Sequence, residues 1–354
     1  MIDIVFNKKE FEYDAYTLIK AFYPQEEVSI LYEGEEKTET FQEKEEAFLV
    51  VKITYNKEDT RLEILKNKET VFEETIFLAS DDERKERKNK LKQALYRGLS
   101  KETKKVLPWG DLTGIRPTKI AMGLIESGMS NVETAEFMRN TYYTSNEKTA
   151  LAITIANRER ALLADIDYKN GYSLYVGIPF CPSICLYCSF SSYPLVKWRD
   201  KVDAYLDALC KELTYIGETM KVRTLDTIYI GGGTPTTLEP EQLERLLSHI
   251  ECCFPTREVK EYTIEAGRPD SITREKLEVI RKYPVTRISV NPQTMNQETL
   301  DLIGRRHTTE EVKKAFHMAR KAGFTNINMD LIAGLPGETG RHMQRTMDEI
   351  VNLA

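Results

Sequence analysis

Hydrophobic and polar positions alternate along residues 1 to about 80, with the two-residue period of β-strands. The alternation is clearest at Ile2, Ile4 and Phe6, and it recurs over 28–32 and 51–55. A polar segment, 33–46, contains seven glutamates and separates the last two of these strands. We therefore expect a β-rich region in which 33–46 forms a long, solvated hairpin connection.

A helical period follows between residue 81 and about residue 105, where Leu91, Leu95 and Leu99 recur at four-residue spacing. The polar face of this predicted helix is rich in lysine and arginine. A solvated helix face explains that charge better than nucleic-acid binding does. Residues 108–110, Pro-Trp-Gly, end the helix.

The next segment, 111–118, is followed by helical patterns up to about Asp165. Thr113 and Arg116 could face a ligand from this segment. Capping of the next helix is at least as good an interpretation.

From Tyr172 onward, strand and helix patterns alternate strictly. Repeated βα units imply a parallel sheet with right-handed crossovers, and five such units could curl into a partial barrel. Because the chain ends inside the last predicted helix, we expect that further βα units have been lost. The predicted strands cover 173–179, 225–230, 261–266, 285–290 and 325–332, and the predicted helices cover 197–219, 239–252, 273–282, 310–321 and residues from about 340.

These patterns predict an α/β fold, in which a partial (β/α) barrel follows a smaller α+β domain. The predicted boundaries are an α+β N-terminal domain over 1–107, a helical connector over 108–170 and the barrel over 171–354, truncated at its C-terminal end. The sequence of the N-terminal domain offers no chemistry, and a partner-docking module is one interpretation of it.

Composition narrows the class of protein. The 354 residues carry a net charge of -6, which argues against nucleic acid as the main partner but leaves a local basic patch open. No apolar run is long enough to span a membrane, and the first residues lack the basic start and apolar core of a signal peptide. We expect a cytoplasmic protein with no membrane span.

Candidate chemistry is concentrated in Cys181, Cys185 and Cys188, which have CxxxCxxC spacing. In a reducing compartment such a cluster indicates metal or redox chemistry. Thiolates hold [4Fe-4S] clusters, and three ligands would leave one iron open. A zinc site usually needs four ligands, and no nearby histidine supplies the fourth, so we favour the iron–sulfur cluster. Cys252 and Cys253 fit better as small, buried apolar residues.

The position of the cysteines supports this interpretation. They follow the first strand of the βα series, at its C-terminal end, where the active sites of βα folds form. The glycines of 231–233 close the second strand. Such glycines allow a charged ligand to approach the backbone, whose free N–H groups can bind it. Taken alone, the triplet could equally be a tight turn.

Together these features resemble the signature of the radical S-adenosylmethionine (SAM) superfamily. The resemblance implies a [4Fe-4S] cluster whose open iron chelates the amino and carboxylate groups of SAM, and reductive cleavage of SAM to methionine and a 5'-deoxyadenosyl radical. Segments 174–181 (LYVGIPFC) and 328–336 (NMDLIAGLP) resemble the oxygen-independent coproporphyrinogen III oxidases (coproporphyrinogen dehydrogenases) and the related heme chaperones. Segments 112–119 and 166–168 resemble the HemZ-type branch of that group.

The resemblance also implies roles for individual residues. Tyr175 and Tyr187 match aromatic residues near the cluster, and 232–234 belong to the motif that contacts the amino group of SAM. Acidic groups suit the cations and hydroxyls of SAM, and arginine suits its carboxylate. No catalytic side chain is implied beyond this cluster and cofactor site. The implied SAM-binding residues are Tyr175, Tyr187, Gly232, Gly233, Thr234, Glu265, Gln293, Arg305 and Asp330.

Two positions depart from the oxidase pattern. Gly177 stands where the oxidases carry histidine. Phe190 stands where they carry a fourth cysteine, and the chaperone branch has a phenylalanine at that position. Three hypotheses stay open: oxidative decarboxylation of the propionates of coproporphyrinogen III to vinyls, giving protoporphyrinogen IX; a heme chaperone that binds SAM and a cluster; and a radical SAM enzyme acting on another tetrapyrrole. The resemblance implies a tetrapyrrole partner and an electron donor such as a flavodoxin or a ferredoxin.

Overall fold

The computed structural model describes residues 1–34, 47–77, 83–114, 116–167 and 169–353. The chain divides into two compact units, Met1–Leu162 and Leu163–Ala354. The helices of the segment predicted as a connector, 108–170, belong almost wholly to the first unit.

The first unit is a mixed α+β structure. Ile2, Ile4 and Phe6 are fully buried, and Leu95 and Leu99 of the following long helix join the same hydrophobic core. The alternating period therefore identified the buried face of the first strand, and the four-residue period identified the buried face of the long helix. Its elements are β1 (Ile2–Phe6), α1 (Glu12–Phe22), β2 (Val28–Tyr32), β3 (Leu49–Tyr55), β4 (Asp59–Lys66), β5 (Glu69–Phe77), α2 (Arg84–Thr103), α3 (Pro117–Glu126), α4 (Asn131–Tyr142) and α5 (Asn146–Leu163).

The predicted hairpin between β2 and β3 is wrong. Both strands run parallel to β1 and lie on either side of it, giving the order β2-β1-β3-β4-β5 among the described strands. A hairpin would require antiparallel neighbours. Hydrophobic alternation identifies strands but does not specify their partners. Residues 35–46 of the predicted connection lie outside the described residues.

A buried carboxyl group lies in the turn that follows α2. Gly110 has a φ of 60°, and a Cβ there would lie 1.8 Å from the Tyr142 carbonyl oxygen, so this turn packs tightly against the end of α4. Asp111 N–H donates to the same carbonyl at 2.9 Å. The side chain of Asp111 is 1% exposed, and its Oδ1 atom has no hydrogen-bond partner among the described residues. Burial raises the pKa of Asp111 from 3.8 to about 7, although the charge of Lys92 opposes this.

The Asp111→Asn variant is expected to gain stability relative to the native chain as the pH rises. Because the pKa of Asp111 is raised in the folded state, its contribution to stability is present below about pH 4 and is lost as the pH rises to about 7. From pH 5 to pH 8, the difference in unfolding free energy should move toward the variant by on the order of 2 kcal/mol. Denaturant unfolding at both pH values measures it, with the exposed Asp165→Asn as the control. A pH-independent difference would contradict the prediction.

The second unit confirms the predicted α/β fold. Every described pairing in its main sheet is parallel, and the strand order β12-β11-β10-β9-β6 sets the βα units side by side. Its elements are β6 (Tyr172–Ile178), β7 (Phe180–Cys181), β8 (Tyr193–Pro194), α6 (Leu195–Trp198), α7 (Val202–Thr219), β9 (Leu225–Gly232), α8 (Pro240–Cys253), β10 (Glu261–Glu265), α9 (Arg274–Arg281), β11 (Arg287–Ser289), α10 (Gln297–Leu302), α11 (Thr309–Lys321), β12 (Ile327–Asn328) and α12 (Gly340–Val351).

Two of the elements that follow β11 differ from the prediction. The short helix α10 was not predicted, since its six residues are too few to show a clear period. The predicted strand 325–332 contracts to β12, and only an isolated bridge between Leu331 and Gln293 continues the pairing. Asp330 N–H donates to the Asn291 side chain at 3.2 Å instead of to a regular strand partner.

The interpretation of Cys252 and Cys253 as buried residues is wrong for Cys252, which is exposed, whereas Cys253 is half-buried. Both lie in the last turn of α8, whose buried side includes Leu247 and Ile250. A helix turns by about 100° per residue, so Cys252 lies roughly opposite Ile250.

The two faces of the parallel sheet differ in chemistry. Leu174, Val176 and Ile178 of β6 belong to the hydrophobic core of this unit, together with apolar residues of the helices. The intervening residue Tyr175 is exposed and stacks on Tyr229 of β9. This second, polar face carries the candidate site. Among the described residues, none of the helices combines the length and apolar character that a membrane span requires.

Candidate cofactor site

The three cysteines lie on the loop that leaves the C-terminal end of β6. This loop is tied to the segment after α10 by two hydrogen bonds. Leu186 N–H donates to the Ile303 carbonyl at 2.9 Å, and Ser183 Oγ donates to the Gly304 carbonyl at 3.0 Å. The loop is therefore held between the ends of two distant βα units.

The glycine-rich end of β9 lies directly against this loop. A Cβ on Gly233 would lie 2.6 Å from the Phe180 carbonyl oxygen, closer than a Cβ comes to a backbone atom, and 3.0 Å from Cys181 Sγ. Gly232 has a φ of 103°, in the region that favours glycine. Thr234 N–H donates to Phe180 O at 2.8 Å, and its hydroxyl lies 3.5 Å from Cys181 Sγ. The triplet is thus more than a turn, since it brings backbone against the cysteine loop.

Cys181, Cys185 and Cys188 are free, half-buried thiols. Burial raises the pKa of the Cys181 thiol, whereas the Thr234 hydrogen bond and the positive charge of Arg268 lower it. Within the described ranges, no three His, Cys, Asp or Glu side chains are arranged to hold one metal ion. In a [4Fe-4S] cluster each cysteine binds a different iron, so the three sulfurs need not converge on one point.

A cavity of about 160 Å³ lies between the cysteine loop and the ends of the strands. All of the predicted site residues except Tyr175 line it. The residues implied by the resemblance are therefore residues that the fold brings together from five strand ends of the main sheet. These lining residues are Cys181, Cys185, Tyr187, Cys188, Gly232, Gly233, Thr234, Glu265, Gln293, Arg305 and Asp330.

Tyr175 reaches this cavity only through a neighbour that sequence reasoning missed. Its ring is 61% exposed and stacks on Tyr229, with 5.8 Å between ring centroids. Tyr229 in turn donates a hydrogen bond to Glu265. The pKa of Glu265 is raised, chiefly by burial and also by the negative charge of Asp330, although the Tyr229 hydrogen bond opposes the shift. Glu265 is therefore a half-buried acid that a cationic ligand would stabilise in its ionised form.

Arg305 forms a fixed part of the cavity wall and is 4% exposed. Its Nη1 donates to the Tyr187 hydroxyl at 3.0 Å, and its Nη2 donates to the Asn291 carbonyl at 2.6 Å. The buried Nε atom has no hydrogen-bond partner in the described part of the chain. Buried donors are rarely left unpaired in folded proteins, and this one suits an acceptor supplied by a ligand.

Gln293 and Asp330 connect the loops after β11 and β12. Gln293 N–H donates to the Asp330 carbonyl at 3.0 Å, and Ile332 N–H donates to the Gln293 carbonyl at 3.0 Å. Asn328 Nδ2 donates to Asp330 Oδ1 at 2.7 Å. The φ of Gln293 is 67°, an unusual backbone conformation for a residue other than glycine. These bonds fix the backbone of both residues and the side chain of Asp330 at the rim of the sheet.

Sequence reasoning also missed Arg268, which is 3% exposed. Its Nη1 donates to Ser183 Oγ at 2.7 Å and lies 3.9 Å from Cys185 Sγ. The guanidinium forms a two-point ion pair with Asp270, at 3.0 and 2.8 Å. Although burial opposes ionisation, this pairing raises the pKa of Arg268 and lowers that of Asp270. Its position three residues after β10 was the available signal, since it places a cation at the same edge as the cysteines.

The Arg268→Gln variant is expected to lower the free energy of unfolding by about 2 kcal/mol, because it removes the charged hydrogen bonds of a buried guanidinium to Asp270 and Ser183 and leaves the partly exposed carboxylate of Asp270 without its cation. The double variant Arg268→Gln/Asp270→Asn should recover part of that loss. Denaturant unfolding of both variants measures the coupling. Arg274→Gln, which breaks an exposed ion pair with Glu278, is the matched control and should change stability little. Equal losses in the single and double variants would contradict the argument.

The family match falls within the second unit of the chain. The radical SAM superfamily matches residues 175–350. The oxygen-independent coproporphyrinogen-III oxidase-like protein HemZ of Bacillus subtilis is 37% identical over 93% of the chain, which covers 66% of that relative. The heme chaperone HemW of Bacillus subtilis is 39% identical over 51% of the chain, which covers 47% of it. The oxygen-independent coproporphyrinogen III oxidase of Escherichia coli is 33% identical over 51% of the chain, which covers 39% of it.

The chain thus spans 66% of the length of one of these relatives and about half or less of the other two. The residues present fit the cofactors of the matching superfamily. Three thiols on one loop can bind iron, Gly233 lets the end of β9 pack directly against that loop, and the buried Nε of Arg305 has no hydrogen-bond partner among the described residues. Sequence, fold and cavity agree that this chain belongs to the radical SAM superfamily, in the HemZ-type branch of the oxygen-independent coproporphyrinogen III oxidase group, with a [4Fe-4S] cluster and SAM as its cofactors.

Proposed function

We propose that this chain belongs to an enzyme that oxidatively decarboxylates propionate side chains of coproporphyrinogen III, giving the vinyl groups of protoporphyrinogen IX. In each conversion the propionate would lose a hydrogen atom from its β-carbon to the radical that SAM supplies, and then CO2 and one electron, which passes to a one-electron acceptor. The observation that carries the proposal is that one cavity is lined by the three thiols, by Gly232 and Gly233, and by Glu265 and Arg305. When bound, the cluster and SAM supply the one-electron chemistry that removes a hydrogen atom from carbon.

The protein's own part is to bind, orient and shield. We propose that Cys181, Cys185 and Cys188 hold three irons, and that the backbone at 232–234 receives the amino group of SAM. The acid Glu265 suits a cation or a hydroxyl of SAM, and the free Nε of Arg305 suits an acceptor. Holding the cofactor's reactive atom and the substrate carbon close together supplies much of the rate.

The remaining predicted contacts are less direct. Gln293 and Asp330 are fixed at the rim of the cavity and are proposed to bind the ribose hydroxyls or cations of SAM. Tyr187, held by Arg305, and Tyr175, stacked on Tyr229, are proposed to bound the cofactor with aromatic surface. The electron donor, a flavodoxin or a ferredoxin, remains a prediction.

A heme chaperone is the second candidate, and Phe190 favours it. Phe190 occupies the position of the fourth cysteine of the oxidases, lies in the cavity wall and is 68% exposed. Gly177 likewise lacks the histidine of the oxidases. A radical SAM enzyme acting on another tetrapyrrole is compatible with the same cavity.

Anaerobic turnover of coproporphyrinogen III by the reconstituted protein, set against titration with heme, separates the candidates. Formation of protoporphyrinogen IX that depends on SAM and a reductant is expected. Tight heme binding without turnover would overturn the enzyme proposal in favour of the chaperone. SAM cleavage with neither outcome would instead require a different tetrapyrrole substrate.

A further inference from the structure

A larger cavity, of about 520 Å³, lies wholly inside the first unit. Its wall is built by α2, α3, α4, residues 111–113 and 116, and Asp14 of α1. None of its residues takes part in the proposed function. The cavity includes Thr113 and Arg116, for which the sequence left a ligand-binding role open.

Positive charge dominates the polar part of this cavity. Five cationic side chains line it, against two carboxyl groups, those of Asp14 and Asp111. Lys88 lies 3.8 Å from Asp14, but Lys85, Arg116 and Lys119 form no ion pair within the part of the chain that the structure describes. The cations are Lys85, Lys88, Lys92, Arg116 and Lys119.

Two of the polar residues that line the cavity are buried. Lys92 is 7% exposed and Asp111 is 1% exposed. Lys92 Nζ donates to Thr113 Oγ1 at 3.3 Å, and Thr113 Oγ1 lies 3.0 Å from Thr17 Oγ1. Asp111 Oδ1 has no hydrogen-bond partner among the described residues, so this wall holds a buried acceptor that an N–H or O–H group on the body of a ligand would satisfy.

The rest of the lining is apolar. Leu112, Ile120 and Leu124 contribute aliphatic surface, and Phe137 and Tyr142 contribute aromatic surface. The two rings lie 6.0 Å apart with an angle of 68° between their planes. Ligand sites are commonly of this size and combine mostly apolar walls with a few placed polar groups.

Helix capping does not account for Arg116. It occupies the N-cap position of α3, yet its side chain forms no capping hydrogen bond. Arg116 is exposed and lines the cavity together with Lys119, one turn further along α3. The pair therefore presents two cations to the cavity from one end of a helix.

We propose that this cavity binds a small organic anion that has a flat apolar body and at least two carboxylate or phosphate groups. The apolar body would pack against Phe137 and Tyr142, and the acidic groups would pair with Arg116, Lys119 and the lysines of α2. A propionate-bearing tetrapyrrole and a nucleotide share this chemistry. The proposal does not rest on the function proposed for the cysteine-lined cavity.

Calorimetric titration of the purified full chain with coproporphyrin III, ATP and inorganic phosphate tests the site. Arg116→Glu/Lys119→Glu should weaken binding of the organic probe by at least tenfold. Lys57→Glu/Arg160→Glu makes the same charge change at exposed positions of the first unit and should leave binding unchanged. Gly123 lines the cavity, and a Cβ there meets no atom within 4 Å, so a larger side chain can be accommodated without a clash. Gly123→Leu should therefore also weaken binding, because the leucine would occupy space that the ligand needs.

Saturable binding of coproporphyrin III or ATP that responds to these variants supports the site, and the probe that binds identifies the ligand class. Absence of saturable binding, equal binding by all variants, or phosphate binding as tight as that of the organic probes would overturn it. Cluster content and SAM binding are measured in the same preparations. They should stay unchanged in every variant, so failure here is distinguishable from failure of the proposed function.

Discussion

Replacing Cys185 by alanine is expected to abolish the visible absorption of the iron–sulfur cluster and to reduce SAM cleavage by more than about 100-fold, since even outer-shell changes at metal sites commonly reduce affinity or activity 10- to 100-fold. On the proposed assignment the loop offers three thiols for three irons, and no other cysteine among the described residues lines the cavity. Removal of one thiol therefore leaves a second iron without a protein ligand. Arg268, 3.9 Å from Cys185 Sγ, would also face a methyl group instead of a sulfur atom.

Anaerobic reconstitution, followed by assays of iron, sulfide and 5'-deoxyadenosine, measures this effect. The matched control is Cys252→Ala, which removes an exposed thiol from the last turn of α8 in the same unit. It should retain the cluster and full SAM cleavage. Unchanged 5'-deoxyadenosine production by the Cys185→Ala variant would overturn the assignment of the cluster ligands.

The sequence predicted those parts of the fold that depend on local period. Leu174, Val176 and Ile178 recur at every second position and are all buried, and Leu91, Leu95 and Leu99 form a buried helical stripe. The parallel sheet of the second unit was predictable because strands and helices alternate regularly. The placement of β1 between β2 and β3 was not, since partner choice depends on contacts between segments that are distant in the chain.

The same distinction holds for the site. The three cysteines were found because they lie in one short run of sequence. The glycines were found because they lie together at the end of one strand. Arg268 and Tyr229 were missed because their significance lies in contacts with Ser183 and Glu265, which are 85 and 36 residues away in the chain. Family resemblance supplied Arg305 and Glu265 as residues of the site, but the free Nε of Arg305 is visible only in the structure.

The substitution Gly233→Ala is expected to reduce SAM affinity by at least about tenfold and to lower the free energy of unfolding by about 1–3 kcal/mol, the usual effect of forcing an added methyl into a packed site. Its Cβ would lie 2.6 Å from the Phe180 carbonyl and 2.9 Å from the Ile178 carbonyl, and neither backbone atom can rotate away. The loop that carries Cys181 would have to move, because Cys181 Sγ lies 3.0 Å from the same position.

Gly340→Ala is the matched control, since a Cβ at this first position of α12 meets no atom within 4 Å. It should leave SAM affinity unchanged and be neutral or slightly stabilising. SAM affinity is measured by equilibrium binding to the reconstituted protein, and stability by denaturant unfolding of the same samples. If Gly233→Ala bound SAM as the native chain does, the close approach of backbone at Gly233 would serve packing alone, and the proposed contact between 232–234 and the amino group of SAM would be wrong.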